Sequence, residues 1–184
     1  MTEAAAALDA TMPIVLDYDF LVRDEEPRDH PEVRKVNEAA FDRPDEADLV
    51  DRLRKEGIIL RSFVAERDRQ IVGHILFTRM SIETERGPVP AVALAPIAVL
   101  PNYQRRGIGS QMVRHGLAEL RISGERMVIV LGDPDYYGRF GFAATTARHL
   151  SSPFPAHSFL ALELSPGALA HIRGAVRYPA AFGL

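Results

Sequence analysis

The chain has 184 residues, 47% of them apolar, which is enough for one well-packed domain and short for two. A formal charge of −3, with arginines scattered rather than massed on a stripe, argues against nucleic acid as a partner. There is no cysteine, which excludes a disulfide framework, a thiolate nucleophile and a cysteine metal site, and suits a reducing cytoplasm.

Residues 1–13 are alanine-rich but carry Glu3 and Asp9 and lack a basic start, so they do not read as a secretory signal. Residues 1–17 are expected to be flexible, with a single domain over 18–184. No apolar run approaches the length needed to span a membrane, so a soluble, cytoplasmic protein with no membrane partner is expected. The six histidines show no His-x-x-x-His or comparable ligand spacing, and no metal is expected.

A strand is predicted over 18–22, then a helix over 31–41 with Pro31 in its first turn and Val33, Val36 and Ala40 near one face. A second helix is predicted over 44–55, stopped by Gly57. Two β-rich runs, 60–66 and 71–82, flank the polar turn Arg67-Asp68-Arg69-Gln70 and read as an antiparallel hairpin. The run 89–99 is apolar on both parities, as in a strand buried on both faces at the centre of a sheet. Pro96 inside it has no N–H to give a ladder, so the pairing is expected to break there.

Next comes Gln104-Arg105-Arg106-Gly107-Ile108-Gly109, between that strand and a helix reaching about residue 122. Glycines 107 and 109 let backbone approach a ligand, the amides of an incipient helix point outward, and two arginines add full charge. Charge-assisted hydrogen bonds of this kind contribute about 1.5–3 kcal/mol each, so the stretch reads as a cradle for a diphosphate. It is not a Walker loop, because Ser110 and Gln111 follow Gly109 where Lys and Ser/Thr are needed. Nor is it a dinucleotide fingerprint, because Met112 occupies the third small position and no acidic residue ends a second strand.

In the following helix Ile108, Met112, Leu117 and Leu120 form a sheet-facing stripe, with Gly109 and Gly116 permitting close packing. A short buried strand is predicted at 127–131. Asp133 at N-cap and Pro134 at N1 should start a short helix carrying Tyr136 and Tyr137 toward a stop at Gly141. A last strand is predicted over 159–164. No nucleophile motif of the Gly-x-Ser-x-Gly or Ser-x-x-Lys kind occurs.

Two of these stretches together resemble the GNAT superfamily of N-acetyltransferases. Gln104, Gly107 and Gly109 match its Gln/Arg-x-x-Gly-x-Gly/Ala signature, and Tyr137-Gly138-Arg139-Phe140-Gly141-Phe142 is similar to its Tyr-x-x-φ-Gly-Phe segment. The likeness runs over roughly 19–164 and is closest to small, largely uncharacterised bacterial members. It implies an α/β (α+β) acyl-CoA N-acyltransferase fold, a twisted mixed sheet of six to seven strands with helices on both faces. It implies acetyl-CoA as co-substrate and direct acetyl transfer to a primary amine.

On that resemblance Gln104, Arg105, Arg106, Gly107, Ile108, Gly109 and Ser110 contact the pyrophosphate. Ile97, Ala98 and Val99 offer backbone groups to the pantetheine arm, and Asp133 and Tyr137 join the cofactor-binding set. Tyr137 occupies the position of the tyrosine that faces the thioester sulfur. A phenol of pKa about 10 protonating a thiolate of about 8.5 is uphill by roughly 2 kcal/mol, so hydrogen-bonding to developing charge counts for more than full transfer. Tyr136, its neighbour, is expected to point elsewhere. Many members use a glutamate on the central strand as base, and 89–99 holds no carboxylate; Glu83, Glu85 and His74 are the nearest candidates.

Without a base, amines of low pKa are favoured. A lysine-like amine pays about 4.6 kcal/mol to be neutral at pH 7, against about 1 for an α-amine. The acceptor is left open between a small metabolite, an antibiotic, a peptide N-terminus and a protein lysine, gripped by the first helices, the loop at 43–48 and the stretch 154–159. Dimerisation is common in such folds, so a homodimer is compatible, though no residue specifies it. A CoA-binding regulatory domain with little catalytic activity is the alternative that the missing strand carboxylate favours.

Overall fold

The structure is a computed structural model that describes residues 20–183. The segment 1–17, expected to be flexible, and the first two residues of the strand expected at 18–22 lie outside the described residues. In chain order the elements are β1 (Leu21–Asp24), α1 (His30–Phe41), α2 (Asp45–Glu56), β2 (Ile59–Arg67), β3 (Gln70–Thr84), β4 (Gly87–Val99), α3 (Ile108–Ile122), β5 (Met127–Leu131), α4 (Pro134–Tyr137), β6 (Leu150–Ser151), β7 (Phe159–Glu163) and β8 (Gly174–Arg177).

The strands join one mixed sheet in the order β1-β2-β3-β4-β5-β7, with β8 pairing the far end of β3 and β6 pairing β8. The β2–β3 hairpin closes through Asp68 and Arg69, both at positive φ, between the paired residues Arg67 and Gln70. Two such residues give the turn the twist of its flanking strands. β6 and β8 bring the described sheet to eight strands, where six to seven were expected. At two and four residues they are too short to leave a period in the sequence, and register against β3 defines them.

Helices cover both faces. On one, α1 and α2 bury Val33, Val36, Val50 and Leu53 against Val64, Leu76 and Ala98. On the other, the α3 stripe Ile108, Met112, Leu117 and Leu120, joined by Val113, packs on Phe63, Ile75, Phe77 and Val128. β4 lies between these layers, which is why it is apolar on both parities.

Pro96 breaks the ladder as its chemistry requires. Register passes from Ile75↔Ile97 to Phe77↔Leu94, so Ala95 and Pro96 together face Leu76 across a bulge. On its other edge β4 meets β5 only at Val92↔Val128 and Ala93↔Ile129, and past Ala93 the two parallel strands separate.

Gly116 sets how closely α3 approaches the sheet. A Cβ built there would stand 2.3 Å from Phe77 Cε2, and the ring is fully buried, with no space to retreat into. Gly116→Ala gains about 0.8–1 kcal/mol in helix propensity but incurs about 1–3 kcal/mol of overpacking. Net destabilisation is therefore expected in denaturant unfolding, partly relieved by Phe77→Leu. A more stable Gly116→Ala protein would refute this packing account.

Candidate active site

The separation of β4 from β5 opens two adjoining cavities that share Ile97. The larger, about 550 Å³, runs from Ile97 and Val99 to the N-terminus of α3. Leu100 donates its N–H to Val72 O (2.9 Å), so by strand alternation Ala98 also turns its backbone groups to β3. Ile97 and Val99, one residue out of phase, turn theirs to the gap. Of the three strand residues expected at a ligand, Ile97 and Val99 thus line the cleft, while Ala98 is buried toward α1 and α2.

The cradle follows directly. Gln104 Nε2 donates to Val99 O (3.0 Å), tying the strand end to the loop. Arg105 (φ 59) and Gly107 (φ 85) both adopt left-handed backbone and turn the chain into α3. No side chain caps that helix, so its first N–H groups have no partner from within the helix. Arg105, Gly107, Ile108, Gly109 and Ser110 all line the larger cavity. At Gly109 a Cβ would fall 2.8 Å from Tyr136 Oη and 3.7 Å from Ile97 Cδ1, so a side chain larger than a methyl would occupy the floor. Uncapped amides over an open floor fit a diphosphate.

Not every expected residue is in this group. Arg106 stacks its guanidinium over the Tyr103 ring at 5.6 Å, outside the cavity lining. Asp133 caps α4, accepting from Asp135 N at 2.9 Å, and is exposed.

α4 sends its two tyrosines to different cavities. Tyr136 lies in the larger one, its hydroxyl hydrogen-bonded to Ser110 and its ring 4.5 Å beneath the Arg139 guanidinium. Tyr137 lines the smaller cavity, about 280 Å³, beside Ala95, Pro96 and Ile97 of β4. Its ring lies over Gly132, where a Cβ would stand 2.3 Å from Cε2. Burial, with the neighbouring Tyr136, pushes the Tyr137 phenol well above its ordinary value. It is a neutral O–H donor across the physiological range.

None of the three base candidates lines either cavity. Glu83 sits at the far end of β3, paired with Pro88 and Ala175, and Glu85 lies in the turn after it. His74 faces the α1 side, fully buried. The carboxylate that does line a cavity is Glu46 of α2, within the loop region 43–48 but not singled out from the sequence. It belongs to no motif and lines the cavity with β4 only through tertiary packing. Phe41, Tyr178 and Phe182 were also missed, since nothing local marks residues that meet only through tertiary packing.

His74 instead holds a buried polar network. Asn37 Nδ2 donates to Val33 O (2.9 Å) and to His74 Nδ1 (3.1 Å), which leaves the imidazole proton on Nε2, 3.0 Å from Ser62 Oγ. Ser62 in turn donates to Glu25, which also pairs with Arg54. A second proton on His74 would face the Asn37 N–H with no acceptor.

A family model for an acetyltransferase (GNAT) domain matches residues 22–145, and the chain belongs to that family. It is an acyltransferase of the acetyl-CoA-dependent class. It is 33% identical over 162 residues to the uncharacterised N-acetyltransferase YhbS of Escherichia coli (strain K12), covering 86% of this chain and 96% of the relative. To the uncharacterised N-acetyltransferase YjhQ of the same organism it is 37% identical over 130 residues, 69% of this chain and 72% of the other. Among solved structures, YhbS from Escherichia coli in complex with CoA matches with a TM-score of 0.84 at 32% identity, covering 90% of this chain and 92% of that one. A GNAT family acetyltransferase from Brucella melitensis in complex with acetyl-CoA matches at 0.75 and 38% identity, covering 89% and 97%. Among the described residues no helix is long and apolar enough to cross a membrane, and no group of acidic or histidine side chains is placed to hold a metal.

The His74 network has a pH signature. Burial first, then Arg54 and His30, lower the imidazole from 6.5 to about 3. Between those values the unfolded chain binds a proton that the folded one refuses, so stability should fall as pH drops from 6.5 toward 3. Urea unfolding as a function of pH should show a shallower acid slope in His74→Gln than in the parent. An unchanged slope would contradict the neutral assignment.

Proposed function

We propose that the protein transfers an acetyl group from acetyl-CoA directly to a primary amine. The observation that carries this reading is the parting of β4 from β5, with uncapped helix amides at one end of the gap and a neutral tyrosine at the other. The reading is supported by the two solved relatives, one in complex with CoA and one with acetyl-CoA.

In this account the first-turn amides of α3, with Arg105, Gly107, Gly109 and Ser110, hold the diphosphate, and Gln104 fixes the loop that presents them. Backbone groups of Ile97 and Val99 lie along the pantetheine arm, with Val99 O already taken by Gln104. Arg106 and the Ala98 backbone contribute through the shape of the loop and strand. The amine nitrogen, neutral when it attacks, bonds to the acyl carbon; the C–S bond breaks, CoA leaves as its thiolate, and the proton shed by the nitrogen passes to solvent water. Tyr137, a neutral donor beside the strand bulge, hydrogen-bonds the charge gathering on sulfur. Because its phenol is raised rather than lowered, stabilising that charge outweighs complete proton transfer.

The lack of a carboxylate on β4 is what favours the other reading, a CoA-binding regulatory domain with little turnover. Tyr137→Phe separates the two. Its kcat against any accepted amine should drop by roughly 10²-fold or more, with acetyl-CoA affinity within a few-fold of the parent. Turnover at the parental rate would remove Tyr137 from the chemistry.

A further inference from the structure

The smaller cavity differs in chemistry from the cradle, and it specifies more about the acceptor than an amine group. One wall is the β4 stretch from Ala93 to Ile97, and another is an aromatic group from the far end of the chain. In that group Phe154 meets Tyr178 edge to face at 5.6 Å, and Tyr178 meets Phe182 at 5.2 Å. Burial raises the Tyr178 phenol to about 12, so this wall carries no charge near neutrality. The helices α1 and α2 contribute Phe41, Leu49 and Glu46, with Phe182 packed beside Phe41 and Leu49.

Glu46 is the one charged residue of that lining. A carboxylate in the first turn of a helix is ordinary, because it meets the positive end of the dipole. Asp45 and Asp48 do that from solvent, with side chains 70% and 46% exposed, whereas Glu46 is 16% exposed. Arg43 holds it with Nε at 3.1 Å from Oε2 and Nη2 at 2.5 Å from Oε1. A carboxylate accepts about four hydrogen bonds, so this pairing leaves acceptor sites unfilled. Arg43 is not part of the lining, so no cation faces the cavity.

We infer that the acceptor is a small monoamine on an apolar, aromatic-sized body, read by Glu46 at its amine and by the Phe154–Tyr178–Phe182 wall at its body. The inference rests on the transfer reading above and narrows it. An acceptor with a carboxylate or phosphate would meet no cation here. A polyhydroxylated one would bury more hydroxyls than Glu46, Tyr137 and Tyr178 can pair, at about 1–3 kcal/mol for each left over. A volume of about 280 Å³ is at the low end for ligand cavities and suits a compact molecule.

The test uses 2-phenylethylamine, with 2-phenylethanol as uncharged isostere, 3-phenylpropanoate as anion, and spermidine and an unblocked alanine peptide as polar amines. Binding to the full chain is measured by calorimetry without acetyl-CoA, and acetylation is measured separately. The amine should bind at least tenfold more tightly than each of the other four probes. Glu46→Gln should weaken the amine at least tenfold and leave 2-phenylethanol unchanged, and Glu46→Asp should regain part of the loss. No binding of 2-phenylethylamine, tighter binding of spermidine or the peptide, or amine affinity indifferent to Glu46→Gln would overturn the inference. If 2-phenylethylamine binds through Glu46 but neither it nor any other probe amine is acetylated, the cavity's preference for an apolar amine stands as ligand binding, and the transfer reading falls together with the amine's role as acceptor. If spermidine or the peptide is acetylated in preference to it, transfer stands and the inference falls.

Discussion

The whole site depends on one constraint, that β4 cannot pair continuously on both edges. Pro96 withholds a ladder donor and forces two residues opposite one on the β3 side, while on the other side β4 keeps β5 for only two registers. In a continuous ladder the backbone groups of Ile97 and Val99 would be consumed by a neighbour. Here one of them, Val99 O, anchors Gln104 and so fixes the loop that starts α3. The loop proposed to hold the diphosphate is thus mechanically downstream of the strand break, and both cavities open from it.

Close approaches at glycines shape that arrangement. Gly116 admits Phe77 against α3, Gly132 admits the Tyr137 ring, and Gly109 leaves the cradle floor open beside Tyr136. Two adjacent tyrosines on one short helix are thereby divided between the two cavities. Tyr136 is held near the helix amides by Ser110, and Tyr137 is buried at the other end of the gap. The division follows from helical geometry, since neighbouring residues point about 100° apart.

Much of this was legible in the sequence because it is local. The apolar runs, the caps at Asp133 and Gly57, the broken ladder at Pro96 and the glycines of the cradle each announce themselves through a residue's own backbone preference. The strands β6 and β8 did not, because they are set by register against β3 rather than by pattern. The acceptor side was read only as regions. Glu46, Phe41, Tyr178 and Phe182 converge from both ends of the chain, and no local signal distinguishes a glutamate that lines a cavity from one that serves a helix dipole. His74 was read as a base candidate because the central strand holds no carboxylate and His74 is among the nearest titratable residues, and only the Asn37 and Ser62 contacts reveal it as a buried neutral group.

The central claim is that the open floor at Gly109 and the amides beside it bind acetyl-CoA. The most direct measurement is calorimetric titration of acetyl-CoA into the protein and into a Gly109→Val variant shown to be folded by its thermal transition. The account predicts micromolar binding by the parent, lost or weakened at least a hundredfold in the variant, whose side chain would occupy the space beside Tyr136 Oη. Equal binding by the two proteins, or none by the parent, would contradict it.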